Sequence, residues 1–352
     1  MFATKKSAPS SPILPRQPST IYNDGAFVQG PKVHENIKTT IQNWQLRNLV
    51  ACADTNTIVH PYHETLHAYN PNMGGDSIVL GSLPFAPTTI DAGHGYVAVG
   101  GQRGMALIKE LEGEWQTAFQ TGMGMTNSVH LSQTQGDQVR VTFCNNDHTV
   151  SVYAVPSMQK LVTLTVPAAI NQAATSSDGR QMAAVGDDGK VYLYHISGST
   201  YTKAAEFTAS TEALLACAWN AAGDIVAVTS QDGFVTVWDV SDSTMPNKLA
   251  QLGSLEPRKT RNAARSIQFS KGPLDLLAYT EHVCNVNIVD VRTFETRQVI
   301  RLGPTDRDAH IAGLSFGKNG RSLFVGLETD LIEVPIDTSA RRRFAAPAVP
   351  LF

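Results

Sequence analysis

Residues 63–67 read His63-Glu64-Thr65-Leu66-His67, a literal HExxH. On a helix, that spacing sets two imidazoles on one face to hold zinc, with the glutamate as general base. The surrounding residues deny the motif its helix. Pro61 and Pro71 bracket it, and proline inside a helix removes a donor and clashes with the preceding turn. The five residues also begin at a turn and run into an alternating, strand-like segment. Four residues of strand cover about 13 Å, too far for two imidazoles that must each come within about 2 Å of one zinc. No metalloprotease and no metal site is expected from the motif. His60 with His63, facing each other across the turn, is the nearest approach to an adventitious ligand pair.

Other chemistry-bearing patterns read the same way. Gly100-Gly101-Gln102-Arg103-Gly104 and Gly122-Met123-Gly124 precede no helix, so they lack the terminal amides that cradle a phosphate; glycine tolerates the positive φ of a tight turn. Cys52, Cys144, Cys217 and Cys284 are far apart and form no CxxC pair. Each sits in or beside an apolar run and reads as a buried free thiol. No Ser/His/Asp or Cys/His set is suggested by position. The sequence predicts no catalytic residue, no cofactor and no metal ligand, and hence no enzyme.

The elements that position these residues follow from a repeat. Leu214–Val240 (LLACAWNAAGDIVAVTSQDGFVTVWDV) and Ile170–Ile196 (INQAATSSDGRQMAAVGDDGKVYLYHI) match position for position. Each runs apolar strand, polar turn, apolar strand, tight turn, alternating strand. Five weaker copies complete the series. Aligned tight turns fall at His63, Arg103, Asp147, Asp188, Asp232, Val283 and Thr329, with spacings of 40, 44, 41, 44, 51 and 46. The period within each unit is 2, which means strands. A four-stranded unit cannot bury both faces alone, whereas seven stacked around an axis can. The expected fold is all-β, a single seven-bladed β-propeller over residues 21–340. Short disordered tails are expected at 1–20, rich in Pro and Ser, and at 341–352, rich in Arg, Ala and Pro. Ile37–Ile41 is the candidate strand that pairs with the last blade and closes the ring.

The unit with Asp232-Gly233 and Trp238-Asp239 resembles a WD repeat. At the Trp position the other copies carry Tyr69, Lys109, Tyr153, Tyr194, Val289 and Pro335; tyrosine is a usual substitute, lysine and proline are departures. Most copies also lack the usual His before the first strand, so the Asp–His–Ser–Trp hydrogen-bond network is expected to be incomplete in every blade. The resemblance covers about residues 40–337. RSIQFSKGPLDLLAYTEHVCNVNIVDVR and VGLETDLIEVPIDTSARRRF are also similar to a fungal WD-repeat group known only as a domain of unknown function. That likeness implies the fold and no activity.

In a WD-type propeller the connections between blades open on the same face as the tight turns. The 51-residue spacing places its extra length in such a connection, GSLEPRKTRNAAR, which carries Arg258, Lys259, Arg261 and Arg265. With Arg301 and Arg307 in the next connection, they form a candidate basic surface, and guanidinium forks grip carboxylate or phosphate bidentately. The expected function is a non-catalytic intracellular protein-interaction scaffold that binds a protein or anionic peptide on this face. An alternative is a substrate receptor of a cullin-4-type ubiquitin ligase. Val289-Asp290-Val291-Arg292 resembles the WDxR element of such receptors, with Asp290 and Arg292 as adaptor contacts and Val289 in place of the aromatic residue.

Composition limits the partners. The formal net charge is -3 and charged residues make up 17% of the chain, which gives no global attraction to nucleic acid or an anionic membrane. No stretch approaches the length of a membrane span, no apolar signal core is present, and no Asn-x-Ser/Thr sequon occurs. A cytoplasmic or nuclear protein is expected, monomeric by itself or a subunit of a larger complex.

Overall fold

A computed structural model of the chain describes residues 18–254, 263–304 and 306–339. Seven antiparallel sheets of four or five strands span residues 51–80, 87–120, 126–165, 170–208, 214–253, 267–301 and 311–335, completed at two of them by N-terminal strands. These are the seven blades the repeat predicts. Each tight-turn position falls between the second and third strands of its blade. In blades four and five the turn is made by Gly189 (φ 73°) and Gly233 (φ 87°), a left-handed conformation that L side chains adopt only at a cost.

Burial grades outward along each blade. In blade five the inner strand Leu214–Trp219 (LLACAW) is buried throughout, and the outer strand Asn247–Gly253 is mostly exposed. A strand covered on both faces reads as a continuous apolar run. The core lies between blades: Ala216, Ala227, Val235 and Val237 of blade five pack on Ile267, Phe269, Leu277 and Tyr279 of blade six.

Inner strands of neighbouring blades are not paired in one sheet, so their inward backbone N–H groups need other acceptors. Side chains of the preceding blade supply them. Asp91 accepts from Leu131 N at 2.8 Å, Gln172 from Cys217 N at 3.0 Å, and Gln268 from Phe316 N at 2.6 Å. Ser315 accepts from Cys52 N at 3.1 Å, which continues the pattern across the closure. The WD-type network is partial, as expected. In blade five Ser210 donates to Asp232 at 2.9 Å and receives from Ser230 at 3.0 Å, while Trp238 turns its Nε1 to Thr236 instead.

Closure differs from the expectation. Ile37–Ile41 forms no strand; the outer strand of blade seven is Lys32–His34, antiparallel to Leu331–Glu333. Burial explains the shift. Ile37 packs into the seam between blades one and seven with Phe324 and Leu331, a place for a wedge rather than an exposed edge strand. A second strand, Ser19–Asn23, adds to Arg297–Arg301 at the outer edge of blade six. Ser19 and Thr20 therefore belong to the propeller and not to the tail assigned at 1–20. The strap between the two strands is anchored by Gln298, whose buried Oε1 accepts from Phe27 N at 2.6 Å and Val28 N at 3.0 Å. No helix among the described residues is long and apolar enough to cross a membrane.

Candidate functional site at the tight-turn face

Tight turns and blade-to-blade connections share one face and are bonded together there. Gly189 O accepts from Ala209 N, Gly233 O from Ser254 N, and Cys284 O from Leu302 N. On this face the segment from Asn43 to Leu49 crosses the mouth of the central channel. The Asn43 carboxamide accepts from Gln45 N at 2.9 Å and turns the chain inward. Leu46 then packs on Leu215 and Ala263, Asn48 O accepts from Ile90 N, and Leu49 N donates to Ala312 O. The segment thus touches blades two, five, six and seven and plugs the channel mouth. Beneath it an axial cavity of about 580 Å³ extends to the hairpins around Gln133, Asp178, Lys271 and Lys318.

Two arginines flank the plug. Arg47 is 5% exposed and Arg265 2%. Arg265 Nη1 donates to Gln45 O at 2.8 Å, and its guanidinium lies 5.6 Å from the centroid of the exposed Trp44 ring. Ser266 donates its hydroxyl to Arg47 O, which ties the two positions together. Among the described residues neither guanidinium has a carboxylate within ion-pair distance. Nε and Nη1 of Arg47 and Nε of Arg265 are buried without an acceptor. A buried cation without a partner is strongly unfavourable. Burial holds both arginines down to about 10, with Arg47 further depressing Arg265 and the Glu328 carboxylate partly offsetting the effect at Arg47.

Histidines extend the cluster. His282 in the tight turn of blade six stacks edge-on between Trp44 (6.2 Å) and His310 (5.9 Å). Burial, then the fields of Arg265, Arg47 and His310, hold His282 down to about 4. The Nδ1 atoms of His282 and His310 also have no partner. The arrangement is a cluster of cations and ring N–H groups beside an exposed indole, and its unused guanidinium donors suit an oxyanion.

The residues chosen from sequence fare differently. Arg258, Lys259 and Arg261 lie outside the described residues. Arg265, expected on a solvated loop, is instead buried at the channel mouth, because the chain turns inward there to start the inner strand of blade six. Arg301 is spent on Pro304 O (2.6 Å from Nη2), and Arg307 is exposed. Asp290 ends the third strand of blade six, and the nearby Arg292 is held by Asp275 at 2.8 Å. His63 occupies the turn at φ 53° against Tyr62, and His67 lies in the third strand; the two do not converge, as the strand reading requires. His60 faces His67 rather than His63. All four cysteines are buried free thiols; burial pushes Cys52 up to about 11 and Cys144 up to about 12. Sequence reasoning missed Arg47 altogether. It is one cation in a short linker (NWQLRNLVAC), and nothing local signals that this linker enters the channel.

The WD domain, G-beta repeat model matches residues 158–195 and 201–239, in blades three to five. A model described as an uncharacterised protein domain matches residues 262–301, blade six. An uncharacterized protein of Schizosaccharomyces pombe is 27% identical over 88% of this chain and 92% of its own length. An uncharacterized protein of Saccharomyces cerevisiae is 23% identical over 70% of this chain, which spans 40% of that relative. Among solved structures, a chain of a mitotic checkpoint complex superposes with a TM-score of 0.72 at 15% identity, over 95% of this chain and 98% of that one. Repeat matches, blade count and closure agree: the chain is a seven-bladed β-propeller of the WD-repeat type.

Proposed function

We propose that this protein is a non-catalytic intracellular interaction scaffold, cytoplasmic or nuclear, that receives an anionic segment of a partner protein at the tight-turn face. One observation carries the reading. Arg47 and Arg265 are buried side by side with unused N–H donors and no carboxylate partner among the described residues. Such a pair is costly in the free protein and is compensated when a carboxylate or phosphate accepts from both forks. Arg258, Lys259 and Arg261 belong to the connection that leads into Arg265 and would extend the same field. WD-type propellers are commonly binding platforms, but fold alone assigns no partner.

The test is affinity purification from the protein's own cells, with wild type beside two variants: Arg47→Met/Arg265→Met and Arg258→Glu/Lys259→Glu/Arg261→Glu. The expected result is a partner lost from both variants while their melting temperatures hold. Partners retained by both would overturn the reading. The ligase-receptor alternative rests on Asp290 and Arg292, and an adaptor would have to break the Arg292–Asp275 pair; adaptor capture lost on Arg292→Ala would favour it.

A further inference from the structure

Three side chains of blade one, two imidazoles and a carboxylate, converge on one spot. His60 in Ile58–Tyr62 stands directly opposite His67 in Thr65–Asn70. Asp76, in the outer strand Gly75–Leu80, pairs with Tyr69, two residues from His67 and therefore on its face of the sheet. The ligating atoms of His60, His67 and Asp76 all lie within 4.8 Å of one another. His60 Nε2 is 3.4 Å from Asp76 Oδ1, and His67 Nδ1 is 3.0 Å from Asp76 Oδ2.

Proton placement makes the cluster informative. His60 Nδ1 lies 3.0 Å from Lys38 O; a carbonyl only accepts, so this nitrogen carries the hydrogen. His60 Nε2 then presents a lone pair to a carboxylate oxygen, and it is buried without a hydrogen-bond partner. On the other ring, the single hydroxyl hydrogen of Thr65 goes to Tyr62 O. Thr65 Oγ1 therefore accepts from His67 Nε2 at 2.9 Å, so the second ring nitrogen, Nδ1, faces Asp76 Oδ2 at 3.0 Å, where it either carries a proton shared with the carboxylate or offers its lone pair once a metal ion takes that proton's place. Two imidazole nitrogens and a carboxylate thus point at one spot. The outer nitrogens are fixed by a backbone carbonyl and a hydroxyl, as second-shell partners fix the tautomer of metal-bound histidine.

We propose that His60 Nε2, His67 Nδ1 and the Asp76 carboxylate bind one divalent transition-metal ion of the zinc type. Two imidazoles and a carboxylate are a borderline donor set that suits zinc rather than calcium or magnesium. Separations of 3.0 and 3.4 Å match the spacing of ligands about 2 Å from a tetrahedral centre. The Asp76 side chain is about one-third exposed, which leaves an entry path and room for a water as fourth ligand. The ion joins the three outer strands of blade one and, through Lys38 O, the segment that follows the ring-closing strand. Its role is structural, at the seam where the ring closes. The site shares only His67 with the HExxH pattern and uses cross-strand pairing in place of a helical turn.

The experiment is metal analysis of the purified full chain after dialysis against micromolar zinc, with Asp76→Asn and His63→Asn as variants. Asp76 is partly exposed and Asn is isosteric, so folding is preserved, and circular dichroism checks it. We expect one zinc per wild-type and His63→Asn chain, and affinity at least about tenfold weaker in Asp76→Asn. Cobalt in place of zinc should show no thiolate charge-transfer band, because all four cysteines lie elsewhere. A folded wild type that takes up no zinc, or an Asp76→Asn variant that binds as tightly, would overturn the assignment.

Discussion

A Cβ placed on Gly313 would come to 3.0 Å from the Leu49 amide nitrogen and 3.1 Å from that of Val50, so a side chain on this inner strand of blade seven would force the channel plug to give by a few tenths of an ångström. Replacement by alanine pushes backbone against backbone, which has no rotamer escape. Gly313→Ala should cost about 1–3 kcal/mol, read as a lower melting temperature. It should also weaken partner capture, since Arg47 is on the displaced segment.

Ring closure carries a pH signature. Hydrogen bonding to His34 holds the Glu333 carboxyl down to about 2, assisted by Ser322 and Lys32 and opposed by burial. A carboxyl lowered on folding stabilises the protein above its unfolded value of about 4.5. That contribution is lost as pH falls from there through about 2, because the unfolded chain then binds the extra proton. Glu333→Gln should remove about 1–2 kcal/mol at pH 6, and the difference from wild type should shrink toward pH 2.5 in parallel thermal melts.

At Arg47 the proposed function is in tension with stability. Replacing a buried guanidinium that has no carboxylate within ion-pair distance among the described residues by an apolar chain of similar length should be neutral or stabilising by about 1–4 kcal/mol, as for buried ion pairs. Arg47→Met should therefore hold or raise the melting temperature while abolishing any stabilisation of the protein by added phosphate or an acidic peptide. A clear fall in melting temperature without ligand would contradict the site's description.

Gln298 anchors the strap that joins the outer edges of blades six and seven. Gln298→Leu leaves the Phe27 and Val28 amides without their acceptor and should cost about 2–4 kcal/mol, at about 1–2 kcal/mol for each orphaned donor. Hydrogen exchange should show faster exchange at Ser19–Asn23 and Lys32–His34 than in blades three to five.

Much of this was legible in the sequence for a physical reason. Alternation with period 2, continuous apolar inner strands such as LLACAW, and turn residues such as Asp232-Gly233 are local demands of a stacked blade. They recur at a fixed spacing, so the sequence alone determines the fold class, the blade count, the turn positions and the failure of HExxH as a helical zinc motif. Ring closure was less legible. Lys32–His34 and Ile37–Ile41 are both short segments able to form a strand, and only the seam between blades one and seven selects the first as edge strand and the second as wedge. The candidate sites were least legible, because they depend on convergence across distant chain positions. Arg47 meets Arg265 and His282 at the channel mouth, and His60 meets His67 and Asp76 across three strands. Sequence dictates which side chains are available, but burial, hydrogen-bond partners and the distance from each cation to its nearest carboxylate are properties of three-dimensional packing, and only the tertiary structure decided them.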